Sequence, residues 1–287
     1  MASWGFHEGE LAVQRLAGVS AEAGRLEPML KPADLSGGAA KFLAAQNFAV
    51  LTARDGNREL WTSPLAGRPG FLRGDGDVLR IAAVPRRGDP LHDMPVGQPV
   101  GLIAVDFAAR RRLRINGLLI EADQDGLVIR ADQAYGNCPQ YIHQRHPDDG
   151  ALAATPSAGA HRATTLSLAD REFISAADTF FFGTTHPSRG SDASHKGGPA
   201  GFVRVDSETH LSWPDLPGNN MFNSFGNLAV DDEAALLFVD FDSGATLHLS
   251  GTAGLRWAPP EAPDQIAGRQ VEFTVAAVVE QRVTSSR

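Results

Sequence analysis

Two stretches of this chain repeat one another at a near-constant spacing, and that repetition restricts the fold more than any other feature. Phe42-Leu-Ala-Ala-Gln-Asn-Phe-Ala-Val-Leu51 lines up with Phe173-Ile-Ser-Ala-Ala-Asp-Thr-Phe-Phe-Phe182 at an offset of 131 residues. Gly70-Phe-Leu-Arg73 falls on Gly201-Phe-Val-Arg204 at the same offset. Gly101-Leu-Ile-Ala-Val-Asp-Phe107 then matches Ala235-Leu-Leu-Phe-Val-Asp-Phe241, and Leu113-x-Ile-x-Gly117 matches Leu247-x-Leu-x-Gly251, both at 134. One three-residue insertion reconciles the two offsets. Four matches in order imply a duplicated unit, with residues 42–121 and 173–255 as equivalent copies.

The pattern inside each copy is that of short strands. Apolar runs at 49–52, 78–82, 100–107, 126–130, 179–182, 201–205, 235–241 and 271–279 are bounded by Gly, Pro and polar turns. Helical patterning is confined to 7–17, 36–45, 138–146 and 168–177. Such spacing predicts a mainly β chain, built as two barrels or sandwiches with flanking helices. The expected layout is a helical extension over 1–41, a first copy over 42–146, a linker over 147–165 and a second copy over 166–287. Two copies in one chain can pack as a homodimer would, and a cleft forms between them.

Composition narrows the function classes. The chain of 287 residues has a net charge of −8, which argues against a general binder of nucleic acid or anionic membrane. No apolar run approaches the ~18 residues of a membrane span. The N-terminus shows no leader pattern, so a cytoplasmic location is expected. A single cysteine, Cys138, excludes an internal disulfide framework and a Cys-rich zinc site. His7, Glu8 and Glu10 read as a solvated helix face, and no metal site is expected.

Four segments could carry chemistry. Asp192-Ala-Ser-His-Lys-Gly-Gly-Pro199 reads as a loop between strands. Gly197 and Gly198 would let backbone N–H groups approach a ligand, while Ser194, His195 and Lys196 add donors and charge suited to an anionic phosphate. A polar turn with a solvated lysine fits the same residues. Pro214-Asp215-Leu-Pro-Gly-Asn219-Asn220 follows a strand over 209–213 and could aim its amides at a ligand, or form an ordinary turn. Met221, Phe222 and Phe225 beyond it read as core or ring-packing residues. On a strand, Arg112, Arg114 and Asn116 share one face, whereas the second copy carries Thr246, His248 and Ser250 there. That face could meet an anion, or guard a solvated edge. Asn137 can cap a helix that starts at Cys138, whose thiol reads as a packed structural group.

These segments resemble the flavin-nucleotide-binding proteins related to pyridoxamine 5′-phosphate oxidase, from about Phe42 to Trp257. The most specific stretches are Ser191-Asp-Ala-Ser-His-Lys-Gly-Gly-Pro-Ala-Gly-Phe-Val-Arg-Val205, Pro214-Asp-Leu-Pro-Gly-Asn-Asn-Met-Phe222 and Gly136-Asn-Cys-Pro-Gln-Tyr-Ile142. The resemblance implies tandem FMN-binding split β-barrels with flanking helices, and FMN as cofactor at the barrel interface. In the oxidases a Ser-Arg-Lys turn, with an Arg and a Lys on the preceding strand, holds the phosphate. Here that turn resembles Gly218-Asn219-Asn220, so the charge falls to His195 and Lys196. The relatives' Arg-Gln-Val-Arg-x-x-Gly strand resembles Arg111–Gly117, placing Arg112 at the flavin-contacting glutamine. The implied cofactor-binding set is Ser194, His195, Lys196, Gly197, Gly198, Pro214, Asp215, Asn219, Asn220, Arg112 and Arg114. No catalytic acid or base is singled out, and the oxidase substrate residues have no match. The implied function is an FMN-binding oxidoreductase of unknown substrate, with a nicotinamide or another electron donor as partner. The alternatives are a non-enzymatic flavin-binding protein, or a split barrel using haem or a deazaflavin. A homodimer of such chains is compatible with this reading.

Overall fold

Seven strands form a first antiparallel sheet in the order β2-β1-β5-β6-β7-β4-β3. They are β1 (Phe48–Arg54), β2 (Leu60–Ala66), β3 (Leu72–Asp75), β4 (Val78–Ile81), β5 (Gln98–Asp106), β6 (Arg111–Ala122) and β7 (Leu127–Gly136). The second sheet holds β8 (His161–Ala163), β9 (Thr179–His186), β10 (Gly190–Gly197), β11 (Arg204–Val205), β12 (His210–Pro214), β13 (Glu233–Val239), β14 (Thr246–Trp257) and β15 (Arg269–Gln281). Its order is β10-β9-β13-β14-β15-β12-β11, with β8 added beside β15. Reading β1–β7 as β9–β15 makes the two orders identical, so the sequence repeat is a repeat of topology. The computed structural model describes residues 4–136, 139–145, 160–257 and 268–282.

Two glycines make the equivalence physical. Each long strand carries an irregularity at the repeat's shared glycine, between Asn116 and Gly117 in β6 and between Ser250 and Gly251 in β14. A Cβ on Gly117 would sit 2.2 Å from the Arg130 carbonyl oxygen, and one on Gly251 would sit 2.0 Å from that of Thr274. Only a residue without Cβ lets the neighbouring strand come so close at a bulge.

Each sheet wraps its own core. Leu51, Trp61, Leu102, Ile115 and Ile129 pack in the first, and Phe180, Phe182, Leu236, Leu249 and Phe273 in the second. A third cluster lies between them. Phe48, Val50, Ile103, Val105 and Phe107 of the first copy meet Phe181, Ala193, Leu237 and Phe241 of the second. β1 and β9 are therefore buried on both faces, which explains their unbroken apolar runs. β5 and β6 touch β10, while their equivalents β13 and β14 touch β2, a reciprocity expected of a two-fold interface.

Helices α1 (Glu8–Leu16), α2 (Ser20–Gly24) and α3 (Gly37–Ala44) precede the first sheet, α4 (Leu168–Ala176) precedes the second, and α5 (Asn223–Leu228) lies between β12 and β13. Among the described residues no helix is long and apolar enough to cross a membrane.

The structure departs from the sequence expectations at four places, and some expectations lie outside the described residues. Ser194–Gly197 belong to strand β10, paired with β9, and not to a loop. Only Arg204–Val205 of the 201–205 run are strand. Residues 139–145 are turn and extended chain instead of helix, and Tyr141 sits at φ 62°, in the left-handed region that a helix cannot use. Asn137 and Cys138 lie outside the described residues, as do 147–159 of the expected linker, whose remainder includes β8. Finally, His7 and Glu10 are buried, not solvated. His7 caps α1 by accepting from the Gly9 N–H, and the Glu10 carboxylate accepts from the His7 N–H.

Candidate functional site

The period-two alternation of β6 sends Arg112, Arg114 and Asn116 to the boundary between the barrels, where they meet β10. Arg114 Nε donates to Asp192 Oδ1 at 3.0 Å, and its Nη2 bonds Oδ2. Asn116 Nδ2 donates to the same carboxylate at 3.3 Å. The Ser224 hydroxyl lies 3.2 Å from both Asp192 Oδ2 and Ser194 Oγ. Strand β10 is thus a buried polar strand whose partners come from the other barrel and from α5.

Arg112 Nη1 lies 3.0 Å from His195 Nδ1. A guanidinium only donates, so Nδ1 accepts and the ring proton resides on Nε2. Burial and the nearby positive charges of Arg112, Arg145 and Lys196 hold the His195 pKa well below its ordinary value, so the ring is neutral. Its Nε2–H is enclosed and has no acceptor among the described residues.

A cleft opens on this face. It is lined by Arg112, Arg114, Ser194, His195, Lys196 and Gly197 on one side and by Pro214, Asp215, Asn219 and Asn220 on the other. Ten of the eleven residues assigned from the sequence therefore share one cleft. Gly198 stands behind it, with its N–H donating to the Asp178 carbonyl at 3.0 Å. Gly197 is required by packing, because a Cβ there would lie 2.0 Å from the Tyr141 carbonyl oxygen. Its place in the β10–β9 ladder and the Gly198 bond mean that side chains, not a glycine-rich loop, face the cleft.

Lys196 Nζ sits 4.5 Å from the Phe225 ring centroid, a cation–π contact, and burial pushes its pKa down to about 8. The sequence did not point to Arg269. It enters from β15, donates to Asp215 Oδ2 at 2.7 Å and stands 5.1 Å from the Phe222 ring centroid. Trp213, Phe222 and Phe225 complete an aromatic wall.

The pseudo-equivalent position in the other barrel is filled. Arg86 donates to Gln281, to the Gly244 carbonyl and to Thr246 Oγ1. His248, fully buried, bonds the Thr62 carbonyl at 2.9 Å and Thr246 at 2.9 Å, and Ser63 bonds Asp89. Thr246 and His248 stand where the first copy has Arg112 and Arg114.

His7, Glu8 and His186 present ligand atoms within 4.8 Å of one another. Yet His7 Nδ1 accepts from the Gly9 N–H, and His186 Nδ1 accepts from the N–H groups of Ser188 and Arg189. Both Nε2 atoms then carry the proton, directed to Asn227 Oδ1 and Glu8 Oε1. A metal ligand needs the opposite tautomer.

No family model and no curated protein matches this chain. Among solved structures it is similar to a putative pyridoxamine 5′-phosphate oxidase from Lactobacillus delbrueckii, with 14% identity, 40% of this chain and 94% of that chain covered, and a TM-score of 0.34. A protein related to general stress protein 26, of the pyridoxinephosphate oxidase family, from Clostridium acetobutylicum shows 14% identity, 41% and 89% coverage, and a TM-score of 0.29. The heme storage protein HutZ from Vibrio cholerae shows 9% identity, 39% and 92% coverage, and a TM-score of 0.28. The strand order and the reciprocal contact across β5, β10, β2 and β13 make this chain a tandem split-barrel protein, with a polar cleft at the boundary of its two barrels.

Proposed function

We propose that the cleft binds FMN by its phosphate end. The observation that carries this reading is charge. Arg112, Arg114, Lys196 and Arg269 line the cleft against Asp215, with Asp192 behind Arg114, so four cations meet two carboxylates in a chain of net charge −8. A phosphate monoester carries roughly −1.5 to −2 charges near neutral pH and fits that surplus. Asn219 and Asn220 supply amide donors, and the rings of Trp213, Phe222 and Phe225 offer apolar surface beside them. The enclosed volume of about 120 Å³ is below the ~300 Å³ of a pocket that engulfs a whole ligand. The cleft would therefore hold one end of the nucleotide, with the remainder across its mouth. When bound, the isoalloxazine supplies hydride or electron chemistry, and the protein supplies position and charge.

The haem alternative meets an obstacle in His195. Its Nε2 is protonated and enclosed, and freeing it for iron would set an N–H against the Arg112 guanidinium. The proteins named above include both an oxidase-like protein and a haem storage protein, so the cofactor must be read directly. Purified protein is expected to show paired flavin absorbance bands and to bind added FMN more tightly than riboflavin. A Soret band, or equal affinity for FMN and riboflavin, would overturn the phosphate-based reading.

A further inference from the structure

On the far side of the Arg114–Asp192 pair lies a second cavity, of about 220 Å³, that the FMN reading does not use. The N-terminal segment closes it with Trp4, His7 and Glu10. β6 and β7 contribute Asn116, Asp132 and Tyr135, the β9–β10 turn contributes Arg189, and α5 contributes Asn223 and Asn227. Asn223 lines both this cavity and the cleft, so the two spaces share a wall one side chain thick.

Its polar groups are of two kinds. Asn116 Oδ1 is an enclosed acceptor without a hydrogen-bond donor among the described residues, and the buried Glu10 carboxyl, which accepts from the His7 N–H and Asn223, keeps lone pairs to spare, so together they suit a group with several N–H donors. Arg189 is half-buried, and among the described residues its guanidinium donates through Nη2 alone, to the Gly5 carbonyl at 2.9 Å. A guanidinium with remaining N–H groups calls for a carboxylate. Tyr135 is buried on the same wall with its ring 5.5 Å from the Arg114 guanidinium. A volume below ~300 Å³ admits a small metabolite and not a nucleotide.

We infer that this cavity is a second binding site, for a small zwitterion of the α-amino-acid type, with the ammonium toward Glu10 and Asn116 and the carboxylate toward Arg189. A simple carboxylate would leave the Asn116 oxygen without a donor, and a simple amine would leave the remaining Arg189 N–H groups without an acceptor, which selects for the zwitterion over either.

The test is calorimetry on the whole protein, with the common α-amino acids at up to about 10 mM, alongside ethanolamine and glycolate. At least one amino acid is expected to bind saturably, and ethanolamine and glycolate at least about tenfold more weakly. Glu10→Gln, which can still close the α1 cap, and Arg189→Gln should each weaken that binding about tenfold or more, while Arg189→Lys retains most of it. FMN affinity should stay within about twofold in all three variants, because none touches the cleft. Absence of binding by any amino acid, equal binding of ethanolamine, or unchanged binding in both neutral variants would overturn the inference. Loss of FMN in Glu10→Gln would overturn it too, showing that Glu10 only holds α5 in place.

Discussion

Arg114 on β6 and Asp192 on β10 form an ion pair buried between the two barrels, with side chains 5% and 3% exposed. Both Asp192 oxygens are bonded, by Arg114, Asn116 and Ser224, so the charges are matched as well as enclosed. Losing one member leaves a buried charge without its counterion, at about 3–5 kcal/mol. Arg114→Met or Asp192→Leu alone should therefore lower the denaturation midpoint strongly, and the double variant should recover most of the loss. Additive losses in a double-mutant cycle would show that the pair is not coupled.

The Lys196 ammonium should supply charge to an anion in the cleft. Charge-assisted hydrogen bonds contribute about 1.5–3 kcal/mol, so Lys196→Ala should weaken FMN roughly 10- to 150-fold and riboflavin far less. The pH dependence has a definite sign. Burial lowers this pKa to about 8, so the empty cleft loses a positive charge as pH rises through 8. FMN affinity should fall above that point, by up to about tenfold per pH unit, and titrations at pH 7 and pH 9.5 check it.

The barrels should hold one flavin per chain. Arg86, Asp89, Thr246 and His248 fill the twin position with a packed polar cluster, and His248 is buried completely. Flavin released on denaturation should match chain concentration one to one. A ratio of two would mean that the cluster opens.

The repeat was legible because both copies bury β1 and β9 on two faces, which leaves long apolar runs that survive divergence. The bulge glycines, Gly117 and Gly251, were legible for the same reason: no other residue fits against the facing carbonyl. Strand β10 was misread because Asp192, Ser194 and His195 are buried against polar partners from β6 and α5 and Ser191 is buried too, so no apolar alternation marks it. Arg269 was invisible for a different reason. It reaches the cleft only through the pairing of β15 with β12, a contact about 55 residues long in sequence that no local motif encodes. Helix α1 hid its buried face likewise, since Glu10 and Gln14 are satisfied by Asn223 and the Met221 carbonyl.

The same bulge glycines give a stability prediction. Gly117→Ala or Gly251→Ala places a methyl about 2 Å from a backbone oxygen, which the strand can relieve only by moving. Overpacking of this kind costs about 1–3 kcal/mol or more. Chemical denaturation should show a loss of that size for each, whereas Gly56→Ala, in open space, should be near neutral. Similar losses at all three positions would mean that backbone entropy, not the close approach, sets the requirement.

His7 and Glu10 titrate in opposite senses, and their effects on stability should offset. Burial and the neighbouring His186 hold the His7 pKa near 4, below its ordinary 6.5. Between those values the unfolded chain binds the proton and the folded chain does not, so stability from His7 rises with pH and is complete above 6.5. Burial raises the Glu10 pKa to about 7 from 4.5, against the pull of the His7 N–H and Asn223. Here the folded chain holds the proton, so stability falls as pH rises from 4.5 to 7. Each slope is at most about 1.4 kcal/mol per pH unit, and between 4.5 and 6.5 they oppose. Glu10→Gln removes one of them and keeps the cap. Its stability relative to the parent should therefore climb steadily with pH across 4.5–6.5, as read from urea midpoints in that window. A constant difference across the window would show that Glu10 is ionised in the folded protein throughout.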